Sequence, residues 1–312
     1  MPQRPPIPPV LILFVGVLAT SVSAILIRFA QAEAHSLAIA GWRLILASFI
    51  LLPFALKYRR EELKGLGRAD WRLALLAGAM LGVHFASWIT SLAYTSVTSS
   101  VVLVTTTPLW VGLASPFFLN EPLTRFLKIG IVLALGGSIL VGVGDSVAVV
   151  DGRLALNLGP GAEANRALLG NGLALVGALS GAAYFMIGRR LRPRLSLLSY
   201  TSVVYGTAAL FLLAAMLLNG VPLFGYSPLA YLLFLLMAIF PQLLGHSSYN
   251  YALAFLSAAY VSIAIISEPI GAGLLAFLIF QEIPAPLVLL GAALILLGIA
   301  ISSYHSTTAK KR

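Results

Sequence analysis

The sequence predicts an all-α polytopic membrane protein. Ten transmembrane helices are expected, arranged as two inverted five-helix repeats with both termini cytoplasmic. Three observations carry this. First, 60% of the 312 residues are hydrophobic and only 10% are charged, whereas a soluble domain carries about a quarter charged residues. Such a chain cannot cover a globular surface, and its apolar runs of about twenty residues match the thickness of a bilayer. Second, sliding the chain over itself by 161 residues brings Gly16 onto Gly177, Arg28 onto Arg189, Ser96 onto Ser257, Pro108 onto Pro269 and Glu121 onto Glu282. One unit has been used twice. Third, the basic residues crowd into alternate loops, which fixes orientation.

In chain order, the opening Met1-Pro2-Gln3-Arg4-Pro5-Pro6-Ile7-Pro8-Pro9 is too rich in proline for a helix. A single Arg precedes a long apolar run with no cleavage pattern, so the run reads as a retained first span and not a leader. Span 1 is expected from about Val10 to Ala30 and span 2 from about Leu37 to Leu56. A loop from Lys57 to Arg72 follows, with six basic and three acidic residues. Span 3 covers about Leu73 to Leu92, span 4 about Val97 to Leu119, and span 5 about Phe126 to Val143. The longest connection, Gly144 to Arg166, has no apolar run able to cross. Spans 6 to 10 then cover about Leu168–Ile187, Ser196–Leu218, Leu229–Tyr251, Ala258–Phe280 and Pro286–Ser303.

With both ends inside, 16 of the 20 Lys and Arg residues fall on the inner face, leaving Arg28, Arg43, Arg153 and Arg166. Five spans per repeat is an odd number, so the second copy crosses in the opposite sense. Inverted pairs commonly build transporters, with a site near the midplane and access alternating between the faces. The expected organisation is a cytoplasmic tail at 1–9, a first repeat at 10–143, an extracytoplasmic connection at 144–166, a second repeat at 167–303 and a basic cytoplasmic tail at 304–312.

Composition removes several function classes. The formal charge of +10 does not point to nucleic acid, because the basic residues sit in short loops between spans. The absence of Cys removes disulfides, thiolate metal sites and cysteine catalysis. No Gly-rich, lysine-ended phosphate loop appears, so direct ATP coupling is not expected. A lipid-acting enzyme would need paired acids or a nucleophile with its base, and neither is present. No cofactor and no metal are expected, since there are only four His residues and neither His84 nor His246 has an acid at ligand spacing.

The run Pro108 to Glu121 followed by Pro122-Leu123-Thr124 and Gly130, and its copy Pro269 to Glu282 followed by Gly291 and Gly298, resemble the recurring pattern of the drug/metabolite transporter superfamily. The duplication narrows this to the EamA type, and Trp42-Arg43-Leu44 resembles the arginine-containing segment that family places in its second helix. The resemblance implies a secondary active transporter with ten helices and both termini inside. Its cavity would be lined by spans 1, 3, 4, 6, 8 and 9. It implies a small-molecule substrate, with export of amino acids, aromatic ones among them, across a bacterial inner membrane as the leading expectation. An exchanger or facilitator of an organic anion or nucleotide-linked sugar, or a non-transporting scaffold, is the alternative. Protons and membrane lipid are the other expected partners, and monomer and homodimer stay open.

Glu268 is the one acid expected well inside a span. A buried carboxylate is expensive unless paired, hydrogen-bonded or protonated, which suits proton binding during transport. It equally suits a structural role beside Pro269, bonding to groups the proline frees. Its mate in the first half is Thr107, which does not titrate. His84 has Trp88 four residues on, on the same helical face; His246 and Tyr249 occupy the matching part of span 8. Each histidine either faces a wet cavity or bonds a backbone carbonyl and packs helices. Tyr184 and Tyr260 add in-span rings suited to aromatic or cationic substrates, with Trp110 beside them; interface anchoring is the alternative for such residues. Trp42 reads as an outer interface anchor. For Arg43 the sequence leaves open snorkelling outward, pairing with an acid or receiving a substrate carboxylate. Pro108 and Pro269 are expected to interrupt helices at points of movement. Glu121 and Glu282 are expected to bond the amides that open the helix after each, as turn and gate support.

Overall fold

The computed structural model describes residues 5–118, 125–144, 147–150, 153–156, 162–265 and 268–308. The first crossing is two helices, α1 (Pro9–Ser21) and α2 (Ser23–Gln31). Pro9 opens α1, where its missing N–H costs nothing. The break at Val22 follows two hydroxyls that turn back on the helix: Thr20 and Ser21 each donate to the carbonyl of Val17, a pattern that bends helices. α3 (Ser36–Tyr58) starts at a cap in which His35 accepts from the Leu37 amide at 3.2 Å. A short α4 (Arg60–Lys64) lies inside the expected charged loop, before α5 (Arg68–Ser91).

The expected fourth span is α6 (Val97–Val104) and α7 (Thr107–Phe118), with Ser96 capping α6. Pro108 therefore begins a new helix instead of kinking a continuous one. α8 (Arg125–Gly144) follows. One correction to the all-α expectation lies in the connection: β1 (Val147–Val150) and β2 (Arg153–Leu156) form an antiparallel hairpin. A second lies beside it, since α9 (Ala162–Leu191) starts within the stretch expected to be loop.

α10 (Leu197–Leu218) and α11 (Pro228–Met237) have Ser caps, at Ser196 and Ser227. A π-helical segment at Ala238–His246 surrounds Pro241 and leads into α12 (Ser247–Leu253). Proline removes one backbone donor and crowds the carbonyl of the preceding turn, and a widened turn relieves that. α13 (Ala258–Ala264), α14 (Glu268–Phe280) and α15 (Pro286–Thr308) close the chain. Pro269 is thus the second residue of a helix, as Pro108 is.

Among the described residues seven helical stretches are long and apolar enough to cross a membrane, and three more apolar stretches are shorter: Lys128–Val141, Gly271–Phe280 and Pro286–Gly298. Exposed Phe49, Phe117, Leu210 and Leu218 give the outer surface the apolar character that lipid requires.

The duplication is present in the contacts. Arg28 bonds the carbonyl of Leu92, and Arg189, 161 residues on, bonds that of Leu253. Gln31 donates to the carbonyl of Ile89 and Arg192 to that of Asn250, at the same offset. Ser257 caps α13 as Ser96 caps α6. The equivalent helices α8 and α15 run antiparallel against one another: a Cβ on Gly137 would lie 2.5 Å from the Gly291 carbonyl oxygen, and one on Gly298 2.6 Å from that of Gly130. Only glycine permits so close a helix contact.

Candidate functional site

The helix breaks converge on one cavity of about 40 Å³. Thr105 and the first residue of α7, Thr107, line it from the first half, with Ile265 and the first residue of α14, Glu268, from the second. α5 adds His84 and Trp88, one turn apart. α9 adds Gly181, Tyr184 and Phe185, and the π-helical segment with α12 adds His246 and Tyr249. Since one water needs about 10–15 Å³ of such space, the cavity holds a few waters in this conformation. A metabolite enters only if the walls move.

Glu268 is the sole charged side chain among the lining residues, and it is 8% exposed. Thr20 donates to its Oε2 at 3.2 Å and also lies 3.1 Å from the carbonyl of Val17. Tyr249 Oη lies 2.5 Å from Thr20 Oγ1. The single hydroxyl proton of Thr20 is directed at acceptors, so the phenol donates to Thr20. A chain therefore runs from Tyr249 through Thr20 to Glu268.

The two histidine regions meet, with the rings of His84 and His246 centred 6.2 Å apart. His84 Nδ1 lies 2.8 Å from the Gly177 carbonyl oxygen. A carbonyl only accepts, so Nδ1 carries a proton and Nε2 is the nitrogen left for other contacts. The Trp88 ring stacks 5.9 Å from His84. Trp88 Nε1 and His246 Nδ1 are buried polar atoms without a partner among the described residues, and such atoms are costly in a dry interior. Thr107 donates to the carbonyls of Val104 and Ala178, and Tyr184 accepts from Asn250 at 2.6 Å. Tyr260 does not line the cavity; its amide bonds Ser257, and the indole of Trp110 bonds Thr106.

Of the alternatives open for Arg43, the structure shows neither snorkelling outward nor an ion pair among the described residues. It is 0% exposed. It donates to Gln242 Oε1 at 2.9 Å and Ser23 Oγ at 3.1 Å, and its guanidinium lies 4.2 Å from the centre of the Phe85 ring. A cation buried this deeply is tolerated because neutral acceptors and a ring face replace part of its hydration. Trp42, read as an interface anchor, is wedged among Phe224, Tyr231 and Phe234 and donates to the Leu223 carbonyl.

Glu282 is also reassigned. Its carboxylate accepts from the amides of Val97 at 3.1 Å and Thr98 at 3.0 Å. It caps α6 in the other half of the chain, not the helix that follows it. Glu121 lies outside the described residues. At the opposite end, Glu62 accepts from the Ser196 amide at 2.6 Å, and Asp70 pairs with Arg194 at 3.0 Å. Partial burial pushes the Glu62 carboxyl up, but bonds from Ser196 and Ser199 and the charge of Arg59 outweigh it and hold it below the usual range. Both ends of the bundle are thus tied across its halves.

Thr20, Ser23, Phe85, Phe185 and Gln242 are not singled out by sequence. A glutamine directly after an in-span proline, and hydroxyls clustered at 20–23 within an apolar run, are the signals that could have found them. Among the described residues no group of His or acids could hold a metal.

A sequence model of the EamA-like transporter family matches residues 7–143 and again residues 168–304. The chain belongs to this family. Curated relatives carry transporter names. An "S-adenosylmethionine uptake transporter" of Rickettsia bellii is 27% identical over 106 residues, 34% of this chain and 35% of that one. An "Uncharacterized transporter YetK" of Bacillus subtilis is 30% identical over 179 residues, 56% of this chain and 49% of that one. The chain thus spans about a third to a half of the curated relatives it matches. A crystal structure 17% identical in sequence superposes with a TM-score of 0.67, covering 96% of this chain and 98% of that one, which establishes a shared fold. Family and helices together make this a multi-pass membrane protein of a transporter family.

Proposed function

We propose that this EamA-like protein is a secondary active transporter of small metabolites bearing a positively charged centre, amino acids foremost, working by alternating access across a bacterial inner membrane. The observation that carries the reading is the cavity: breaks from both halves meet at one carboxylate, Glu268, walled by Trp88, Tyr184, Phe185 and Tyr249. An acid among ring faces suits an ammonium or sulfonium group. The amine of an amino acid and the sulfonium of S-adenosylmethionine both qualify. The organic-anion alternative is disfavoured, because no Arg or Lys lines the cavity.

Ten crossings with both termini cytoplasmic and inverted repeats at 10–143 and 167–303 are part of the proposal. The antiparallel contact of equivalent helices α8 and α15 supports the inversion, and the three shorter apolar stretches supply the remaining crossings. His84, Trp88, Thr107, Tyr184, His246 and Tyr249 are proposed to line the substrate path, with Glu268 as the coupling group. Tyr260 is left without that role. Pro108 and Pro269 are proposed as points of movement, and Arg43 and Glu282 as supports.

The test is flux of labelled aromatic and small neutral amino acids, and of S-adenosylmethionine, in proteoliposomes with and without an imposed pH gradient, in both directions. Saturable flux of one of them, accumulated only with the gradient, is expected. Absence of flux for every compound from folded protein overturns the substrate class. Export is the expected direction, and net movement inward alone would reverse it.

A further inference from the structure

A second pocket, of about 310 Å³, opens where the end of α2, the α5–α6 turn and the start of α9 meet. That volume falls within the range of small-ligand pockets, roughly 300–1,000 Å³. Its lining is Arg28, Ala93, Tyr94, Thr95, Ser96 and Ala167, with no acid among them. Arg28 gives one bond to the Leu92 carbonyl and makes no ion pair among the described residues. A guanidinium carries five donors, so most of its hydrogen-bonding capacity is uncommitted. A second guanidinium, that of Arg166, lies 5.5 Å from the centre of the Tyr94 ring. The acid at the start of α6, Glu282, is already engaged by the amides of Val97 and Thr98.

We propose that this pocket is an anion subsite, in which Arg28 receives a carboxylate or phosphate group and Arg166 adds a second positive charge at the rim. The planar fork of arginine matches both groups in a bidentate manner. The duplication supplies a contrast within the same molecule. At the offset of 161, Arg28 becomes Arg189, which keeps its bond to the Leu253 carbonyl. Tyr94 and Thr95, however, become Phe255 and Leu256, and Arg166 and Ala167 fall on Pro5 and Pro6. The arginine keeps its backbone bond in both halves, while the polar residues beside Arg28 are replaced at the offset by apolar ones and by proline. The subsite stands apart from the central cavity and does not depend on what crosses the membrane.

The chain has no cysteine, so Ala93→Cys, an exposed lining position, places a single reporter in the pocket. The full-length variant in neutral-lipid nanodiscs is alkylated by uncharged N-ethylmaleimide. Initial rates are compared with millimolar benzoate, inorganic phosphate, benzamide, or chloride at matched ionic strength. Benzoate or phosphate is expected to slow labelling several-fold while benzamide and chloride do not, with the effect lost in Arg28→Gln and reduced in Arg166→Gln. Slow labelling without solute, confined to nanodiscs of anionic lipid and relieved by the same variants, supports the subsite and identifies a lipid headgroup as the source of the anion. Should Arg28→Gln fail to fold, Arg28→Lys and the exposed Arg166→Gln carry the test. Equal rates in every condition, or protection that survives substitution of both arginines, overturns the proposal.

Discussion

The two helix breaks beside the cavity are one design executed twice with different chemistry. In the first half the break ends at Thr107-Pro108, and in the second at Glu268-Pro269. Both prolines open a helix and both preceding side chains reach the cavity. Thr107 bonds to two backbone carbonyls and is satisfied. Glu268 has a donor waiting for it, the hydroxyl of Thr20, itself held by Tyr249. Duplication reproduced the backbone, and the charge was placed once. Under the proposed function the single carboxylate gives the two halves unequal parts, since only Glu268 can carry a charge at this position.

The largest expected effect comes from removing that difference. Glu268→Gln is expected to abolish accumulation driven by a pH gradient while substrate exchange persists, read in proteoliposomes. Unchanged gradient dependence would assign Glu268 to structure alone. Creating the missing acid is the reverse manoeuvre: Thr107→Glu is expected to lower stability by about 3 kcal/mol, the scale for an acid set deep in a span, because the carbonyls of Val104 and Ala178 offer it no donor. Thermal unfolding in detergent reads the loss, and a neutral Thr107→Gln should recover most of it.

Removing the donor sharpens the comparison further. Thr20→Val is expected to cost about 1–3 kcal/mol, the scale for a buried polar group left unsatisfied, with Thr20→Ser close to the parent protein. Equal stability of the two variants would show that the Tyr249–Thr20–Glu268 chain is not holding the site. A subtler asymmetry lies in the glycines of the two first helices. A Cβ on Gly16 would lie 2.7 Å from Ser248 Cβ, whereas one on Gly177 would lie 3.3 Å from Trp88 Cβ. Gly16→Ala is therefore expected to destabilise by about 1–3 kcal/mol, the overpacking range, and Gly177→Ala by less. The opposite order in a thermal series would contradict the packing described.

The smallest effect concerns Glu62, whose counterpart at the offset is Leu223. Its folded pKa is depressed, so its contribution is present above the unfolded value near 4.3 and is lost as pH falls through the folded value. Solvent screening keeps the effect below about 1 kcal/mol. Glu62→Gln should be slightly less stable than the parent at neutral pH, and the difference should close in acid. A difference independent of pH would remove the carboxylate from the account.

Much of the molecule is legible in its sequence. The offset that matches Arg28 to Arg189 predicts two equivalent residues, and their bonds to Leu92 and Leu253 are equivalent. His84, Trp88, His246 and Tyr249 stand out as polar or aromatic groups inside apolar runs, and they surround one cavity. Tyr260 meets the same criterion and lies elsewhere, because periodicity gives a helix a face without saying what that face meets. Arg43 illustrates the same gap. The sequence leaves open whether this arginine snorkels, pairs with an acid or receives a carboxylate, and only packing reveals Gln242 and Ser23 beside it. Glu282 is recognisable as a cap, but its helix lies 185 residues away in the chain, beyond any local pattern.

The sequence by itself determined residence in a membrane, the duplication, the approximate spans and the sparse set of polar groups they bury. These follow from composition and spacing, which act locally and along the chain. Tertiary structure decided which of those groups share a cavity, that Thr20 serves Glu268, that a hairpin follows α8, and that Arg28 borders a polar pocket. Contacts between helices depend on rotation and depth of each helix against its neighbours. Those are set by side-chain packing and close glycine approaches across the whole bundle, and no single stretch of sequence records them.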